Sequence, residues 1–205
     1  MCLLAAFALW TAAVCLVDVQ AIGPRGSTVG LAALNRAFHT LTGVRMPLYT
    51  ITDWLSLIPL LFALGFACLG LMQWIRRKSL LKVDDSILVL GGFYAVVTAV
   101  YTLFEVCVVN FRPVLIDGVL EASYPSSTTV LVLCVMPTAV MQLRSRIKHR
   151  AFRRFSSFMI AAFTVFMVAG RLVSGVHWLT DVIGGALLSS GLVTLYNAVS
   201  SFKSQ

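Results

Sequence analysis

The chain has 205 residues, a mean hydropathy of +0.92, and 12% charged against 59% hydrophobic residues. A soluble domain of this size needs far more charge to cover its surface, so the composition excludes a water-soluble globular protein. The net charge of +8 would suit a nucleic-acid partner, but its distribution favours membrane topology and contact with anionic headgroups over any nucleic-acid site.

A helix needs roughly 20 apolar residues to cross a hydrocarbon core of about 30 Å. Charge-free runs near that length are Met1–Val17, Trp54–Ile75, Ser86–Phe104, Ala122–Leu143, Phe155–Gly170 and Val182–Phe202. They are continuous rather than alternating, which predicts helices and excludes a barrel. The first run has no Lys or Arg before it and only a weak small-residue site at Val19–Ala21, so it reads as a retained helix rather than a signal peptide. Between the first two runs, Leu31, Leu34, Phe38 and Leu41 recur at helical spacing, with Asn35, Arg36 and His39 on other faces. That pattern predicts a short amphipathic helix anchored in the outer interface. Cys2, Cys15, Cys68, Cys107 and Cys134 fall in or beside apolar runs and read as small core residues. The expected fold is an all-α membrane protein, about six transmembrane helices in one bundle, forming a single domain over residues 1–205.

Arg76, Arg77, Lys78 and Lys82 lie between the second and third runs, and Arg144, Arg146, Lys148, Arg150, Arg153 and Arg154 between the fourth and fifth. With Lys203 they make up most of the 16 Lys and Arg residues, all on one face of a six-helix topology. The positive-inside rule makes that face, and both termini, cytoplasmic. A compact chain with short loops suits a bacterial inner membrane.

Arg25, Arg36, Arg45, Arg112 and Arg171 are left at the other face, and Arg112 and Arg171 stand at helix ends, where ionisable groups beside the bilayer mark a functional site. Three segments converge there. Asn110-Phe111-Arg112-Pro113 is read as the exit of the third helix, the proline ending it and the guanidinium offering a fork for phosphate oxygens. Tyr124-Pro125-Ser126-Ser127-Thr128-Thr129 is read as the start of the fourth, with Pro125 in the first turn and free N–H groups beside hydroxyls, a ready anion site. Each fragment alone also fits an ordinary anchor or cap. The third, Gly170-Arg171 through Gly185, places His177 and Asp181 four apart, on one face if helical. The carboxylate would then hold one imidazole nitrogen as N–H and leave the other free as nucleophile. Gly184 and Gly185 would let that helix pack closely on a neighbour.

In this order, the three segments resemble the phosphatidic-acid phosphatase type 2 superfamily of six-helix membrane phosphatases. Its pattern is Lys, six residues, Arg-Pro; then Pro-Ser-Gly-His; then Ser-Arg, five residues, His, three residues, Asp. Arg112-Pro113, Pro125-Ser126, Arg171, His177 and Asp181 match it, with the spacing of the last motif intact. The resemblance implies a phosphate cradle of Arg112, Arg171, Ser126 and N–H groups near Ser127. It implies attack by His177 to give a phosphohistidine, with Asp181 orienting the imidazole. It further implies no metal or other cofactor, and as partner a lipid phosphate or diphosphate substrate presented at the outer face.

Glu105 stands where that pattern has Lys, Thr128 where it has the second motif's His, and Gly170 where it has Ser. The resemblance makes that His the general acid to the leaving group, a role a threonine hydroxyl fills poorly and whose loss costs about 10²–10⁴-fold. Glu105, two helical turns before Arg112 if the helix continues, is expected on the same face, and a buried carboxyl kept protonated would supply the missing proton. A weaker acid favours better leaving groups, so diphosphates are expected over monophosphates such as phosphatidate. The alternative is a catalytically inactive relative that binds or translocates an anionic lipid.

Overall fold

The structure is a computed structural model and describes residues 2–202. Met1 of the first apolar run and Lys203 of the basic set lie outside the described residues. The chain forms α1 (Cys2–Leu16), α2 (Ala32–Thr42), α3 (Met46–Leu55), α4 (Leu57–Arg77), α5 (Asp85–Val106), α6 (Ser127–Arg146), α7 (Arg150–Val173) and α8 (Leu179–Phe202). Single 3₁₀ turns at Pro24–Gly26 and Leu80–Lys82 complete the helical set.

Five segments are long and apolar enough to cross a membrane: Met46–Arg77, in which α3 and α4 join at Ser56, and the long helices α5 to α8. The expected all-helical membrane fold is therefore present, with these five spans among the described residues and α1 as a further, shorter apolar helix. The 15 residues of α1 reach about 22 Å at 1.5 Å per residue, short of a full hydrocarbon core.

Helix α6 is the axis of the bundle. One side of it places Val130 and Cys134 among Phe66, Leu90 and Phe93 of α4 and α5 and Leu188, Leu192 and Tyr196 of α8. Another packs Val132, Val135 and Met136 on Ile160 and Met167 of α7. Outward, α4 presents Leu61 and Leu64 and α7 presents Phe155, Phe158 and Val165, the apolar periphery that lipid tails solvate at no cost.

Buried polar pairs fix the register of the two ends. At one end the Gln142 amide of α6 donates to Ser86 O at 3.0 Å and to Tyr196 Oη at 2.8 Å, tying α5 and α8 together beside the basic loops. At the other, Trp10 Nε1 of α1 donates to Thr180 O at 3.1 Å, and Thr11 Oγ1 lies 2.7 Å from Tyr124 Oη.

The amphipathic helix expected around Leu31–Leu41 forms as α2, yet its polar side is the one tied to the protein. Asn35 is fully buried, and its amide donates to Gly30 O at 2.9 Å and Thr180 Oγ1 at 3.0 Å. His39 Nε2 lies 3.1 Å from Gly175 O, with its ring tilted against Trp178. Leu34 and Leu41 face outward. The helix is thus more than an interfacial anchor: it lies across the α7–α8 hairpin and is hydrogen-bonded to it.

Candidate active site

The hairpin between α7 and α8 carries the nucleophile candidate. His177 precedes α8 instead of lying on it, so the expected shared helical face with Asp181 does not form. Asp181 sits in the first turn of α8 and caps it, its Oδ2 accepting from Trp178 N at 2.9 Å. Its Oδ1 accepts from the Asn110 amide at 3.2 Å. His177 Nδ1 lies 3.8 Å from Asp181 Oδ2, an ion-pair distance outside hydrogen-bond reach. The imidazole is 2% exposed, and neither ring nitrogen has a hydrogen-bond partner among the described residues. Burial pushes it down to about 4; Asp181 opposes that shift while Arg112 and Arg171 add to it.

Arg171, in the last turn of α7, is also 2% exposed. Its Nη2 donates to Asp53 Oδ1 of α3 at 2.7 Å, while Nε and Nη1 are buried with no acceptor. This contact depends on α3 lying close to α7 at Gly170. A Cβ there would come within 2.7 Å of Thr52 Cγ2, so the glycine is required by the packing of α3.

Arg112 arrives differently from the expectation. Helix α5 ends at Val106, well before Asn110–Pro113, because the next residues take tertiary partners. Ser123 N donates to Asn110 O at 2.9 Å, and the Asn110 side chain holds Asp181. Phe111 and Ala122 form an antiparallel bridge, and Trp178 Nε1 donates to Phe111 O at 2.7 Å, which docks this loop on the hairpin. Arg112 Nε lies 3.0 Å from Glu121 Oε2. Nε and Nη1 are nonetheless buried without a hydrogen bond. The centre of the Tyr49 ring of α3 lies 4.8 Å from the Arg171 guanidinium carbon and 5.9 Å from that of Arg112, so both cations meet one aromatic ring.

Glu105 and Arg112 therefore do not share a helix face. Glu105 is exposed on the last turn of α5, without the burial expected of it, and opens on a narrow cleft with Tyr101, Tyr124 and Ser127.

Helix α6 begins at Ser127 with Ser126 as its N-cap, after a cis Tyr124–Pro125 bond, so Pro125 lies before the helix and not in its first turn. Ser126 N donates to Asp181 O at 3.0 Å and pins the helix start to α8. The expected close approach at the glycine pair is present: a Cβ on Gly184 would lie 2.6 Å from the Tyr124 ring. Thr128 is 8% exposed and, with Ser127, Asp53, Ser56 and Tyr101, lines a cavity of about 450 Å³ between α3, α5 and α6.

The structure thus brings Arg112, Ser126, Arg171, His177 and Asp181 to one end of the bundle, adds Thr128 and Ser127 on an adjoining cavity, and leaves Glu105 at the edge. Sequence reasoning missed Tyr49, Asp53 and Glu121, and it named Asn110 without foreseeing its bond to Asp181. A signal existed for two of the missed residues: Tyr49 and Asp53 are one helical turn apart, and Asp53 is the sole carboxylate between Asp18 and Asp84. Among the described residues no group of three or more His, Cys, Asp or Glu could hold a metal ion. The buried N–H groups of two guanidiniums beside a neutral imidazole suit an oxyanion with negative charge on several oxygens.

No curated protein matches the chain. Among solved structures it is similar to the first transmembrane PAP2 type phosphatidylglycerolphosphate phosphatase from Bacillus subtilis, at 19% identity and a TM-score of 0.60. That likeness covers 98% of this chain and 94% of the other, and it concerns the fold. The family model described as PAP2 superfamily matches residues 86–204, a span from the start of α5 that takes in every motif residue described above. With more than half of the sequence matched, the chain belongs to the PAP2 superfamily.

Proposed function

We propose that this protein is a membrane lipid phosphatase or diphosphatase that works through a phosphohistidine on His177. The observation that carries this reading is the meeting of Arg112 and Arg171, each with buried N–H groups that have no acceptor among the described residues, with the buried imidazole of His177. Phosphoryl transfer asks a protein for positioning and charge stabilisation, and two guanidinium forks beside an oriented nucleophile supply both. The first-turn N–H groups of α6 near Ser126 and Ser127 would add donors to the same oxyanion.

Asp181 approaches Nδ1, so Nε2 is the attacking atom. The N–P bond forms, the P–O bond to the leaving group breaks, and its electron pair leaves on that oxygen. Water then cleaves the N–P bond and releases phosphate. With Thr128 offering no useful acid, a diphosphate is the better substrate, since its leaving group is a phosphate monoester anion and not an alkoxide. The basic loops lie at the opposite end of the bundle from His177. The positive-inside rule therefore puts both termini in the cytoplasm and the site at the outer face, as for a bacterial inner-membrane enzyme.

The second reading is an inactive relative that binds or moves an anionic lipid. The 3.8 Å gap between His177 and Asp181 favours it, since both carboxylate oxygens already accept other hydrogen bonds. Phosphate release from polyprenyl diphosphate and from phosphatidate, measured in detergent with His177→Ala alongside, separates the two. Release that vanishes in the variant, and is faster from the diphosphate, supports the enzyme. Anionic-lipid binding without release above that of the variant supports the inactive relative.

A further inference from the structure

We infer that Asp53 is the general base that activates water against the phosphohistidine, an inference that rests on the phosphatase reading above. The resemblance offers no residue for this task at Thr128, and four other carboxylates stand near the site. Asp181 is fully buried with both oxygens engaged. Glu105 opens on an adjoining cleft that shares Tyr101 and Ser127 with the cavity beside Thr128 but does not itself line that cavity; Glu121 pairs with Arg112 and does not line it either; Asp117 belongs to the tip of the α5–α6 loop. Asp53 alone lines the 450 Å³ cavity together with Thr128.

Its geometry fits the work. Oδ1 accepts from Arg171 Nη2 at 2.7 Å, which fixes the carboxylate at the rim of the phosphate cradle. Oδ2 takes no hydrogen bond among the described residues, and the side chain is 55% exposed where Arg171 is 2%. One oxygen is therefore held by the cation that would grip the phosphoryl group, and the other, without a hydrogen bond among the described residues, belongs to a residue that lines the cavity. Helix α3 makes the placement rigid, because Tyr49, one turn earlier, packs on both guanidiniums and Thr52 packs on Gly170.

The step balances without a co-reactant. Water oxygen attacks phosphorus, its proton passes to Asp53 Oδ2, the N–P bond breaks, and the electron pair returns to the His177 nitrogen. Inorganic phosphate leaves, and the proton on Asp53 goes to bulk water or, in the next cycle, to a leaving oxygen.

The test follows the phosphoenzyme in full-length protein in detergent. Polyprenyl diphosphate labelled with ³²P in its terminal phosphate is mixed rapidly with enzyme and quenched in alkali, which preserves phosphohistidine. Asp53→Asn keeps an acceptor for Arg171 but loses the base. It is expected to form the phosphoenzyme at close to the wild-type rate and to hydrolyse it about 10²-fold or more slowly, so that label accumulates on His177. Asp53→Ala with added formate, a small carboxylate that the cavity admits, should regain part of the lost hydrolysis. Equal slowing of formation and breakdown in Asp53→Asn would show a role in placing Arg171 only and overturn the assignment. So would wild-type breakdown in a variant whose thermal unfolding is unchanged. Wild-type enzyme that acquires no label on His177 would sink the phosphatase reading itself, a result distinct from labelled enzyme with unaltered Asp53 variants.

Discussion

His177, the proposed nucleophile, combines burial with neighbouring cations. Burial and the guanidiniums of Arg112 and Arg171 favour the neutral ring, and the Asp181 carboxylate works against them, leaving the group at about 4. In the proposed mechanism the neutral imidazole is the attacking form, so it would be available throughout the neutral range. Stability carries the same signature. The unfolded histidine takes a proton below about 6.5 and the folded one only below about 4. Between those values the unfolded state holds more protons, so stability rises with pH. The contribution is complete above pH 6.5 and is lost as pH falls toward and past 4. A shift of this size corresponds to a loss on the order of 3 kcal/mol. Thermal unfolding in detergent should therefore drop more steeply from pH 6.5 to 4 for wild type than for His177→Gln, which lacks the titrating ring. Parallel curves for the two proteins would contradict the burial argument. This residue was legible in the sequence because a fixed spacing joins Arg171, His177 and Asp181. The 3.8 Å gap was not, because the two oxygens of Asp181 are claimed by Trp178 and Asn110, and a distant amide leaves no mark in local spacing.

Helix ends are where hydropathy misleads most. The apolar run after Glu105 continues through Val109, yet α5 stops at Val106, because Asn110 and Phe111 are drawn into hydrogen bonds with Ser123, Trp178 and Asp181. The opposite error occurs at α3. Counting uncharged residues starts a segment at Trp54, after the charge of Asp53, whereas the helix begins at Met46 with Pro47 in its first turn. The residues so excluded, Tyr49 and Asp53, are the ones that grip the site arginines. The packing of α3 also explains Gly170, where the resembled pattern has Ser. Restoring that serine should destabilise this protein, because the new Cβ would meet Thr52 Cγ2 at 2.7 Å. Overpacking of this kind costs about 1–3 kcal/mol. Thr52→Ala removes the obstructing methyl, so the double variant should recover most of what Gly170→Ser loses. A cycle of the two substitutions, read by denaturant unfolding in micelles, should show coupling rather than additivity. Additive effects would mean that α3 moves freely on α7.

At the scale of the molecule, charge and chemistry are segregated along the bundle axis. The loops joining α4 to α5 and α6 to α7 gather the basic residues, and Gln142 and Arg146 reach from α6 to Ser86 at that end. His177, Arg171 and Arg112 gather at the other. Helix α1 runs antiparallel to α8, from Leu4 against Gly191 to Trp10 beside Thr180, so its start points toward the basic end. α8 extends beyond Gly191 by about eleven more residues, or ~16 Å at 1.5 Å per residue. The sequence announced this polarity because K/R bias in short loops is a property of composition. It could not announce which helices pack together, because an uncharged run does not say where a helix packs. Orientation is testable with single cysteines in a background where Cys2, Cys15, Cys68, Cys107 and Cys134 are replaced. Val119→Cys lies on the exposed α5–α6 loop at the site end, and Lys148→Cys on the exposed α6–α7 loop at the basic end. In sealed right-side-out vesicles a membrane-impermeant maleimide should label position 119 directly and position 148 only after detergent is added. The reverse pattern would turn the cradle toward the cytoplasm. Its substrates would then be phosphorylated lipids of the inner leaflet, and the basic loops would have to be held outside against the potential that normally retains them.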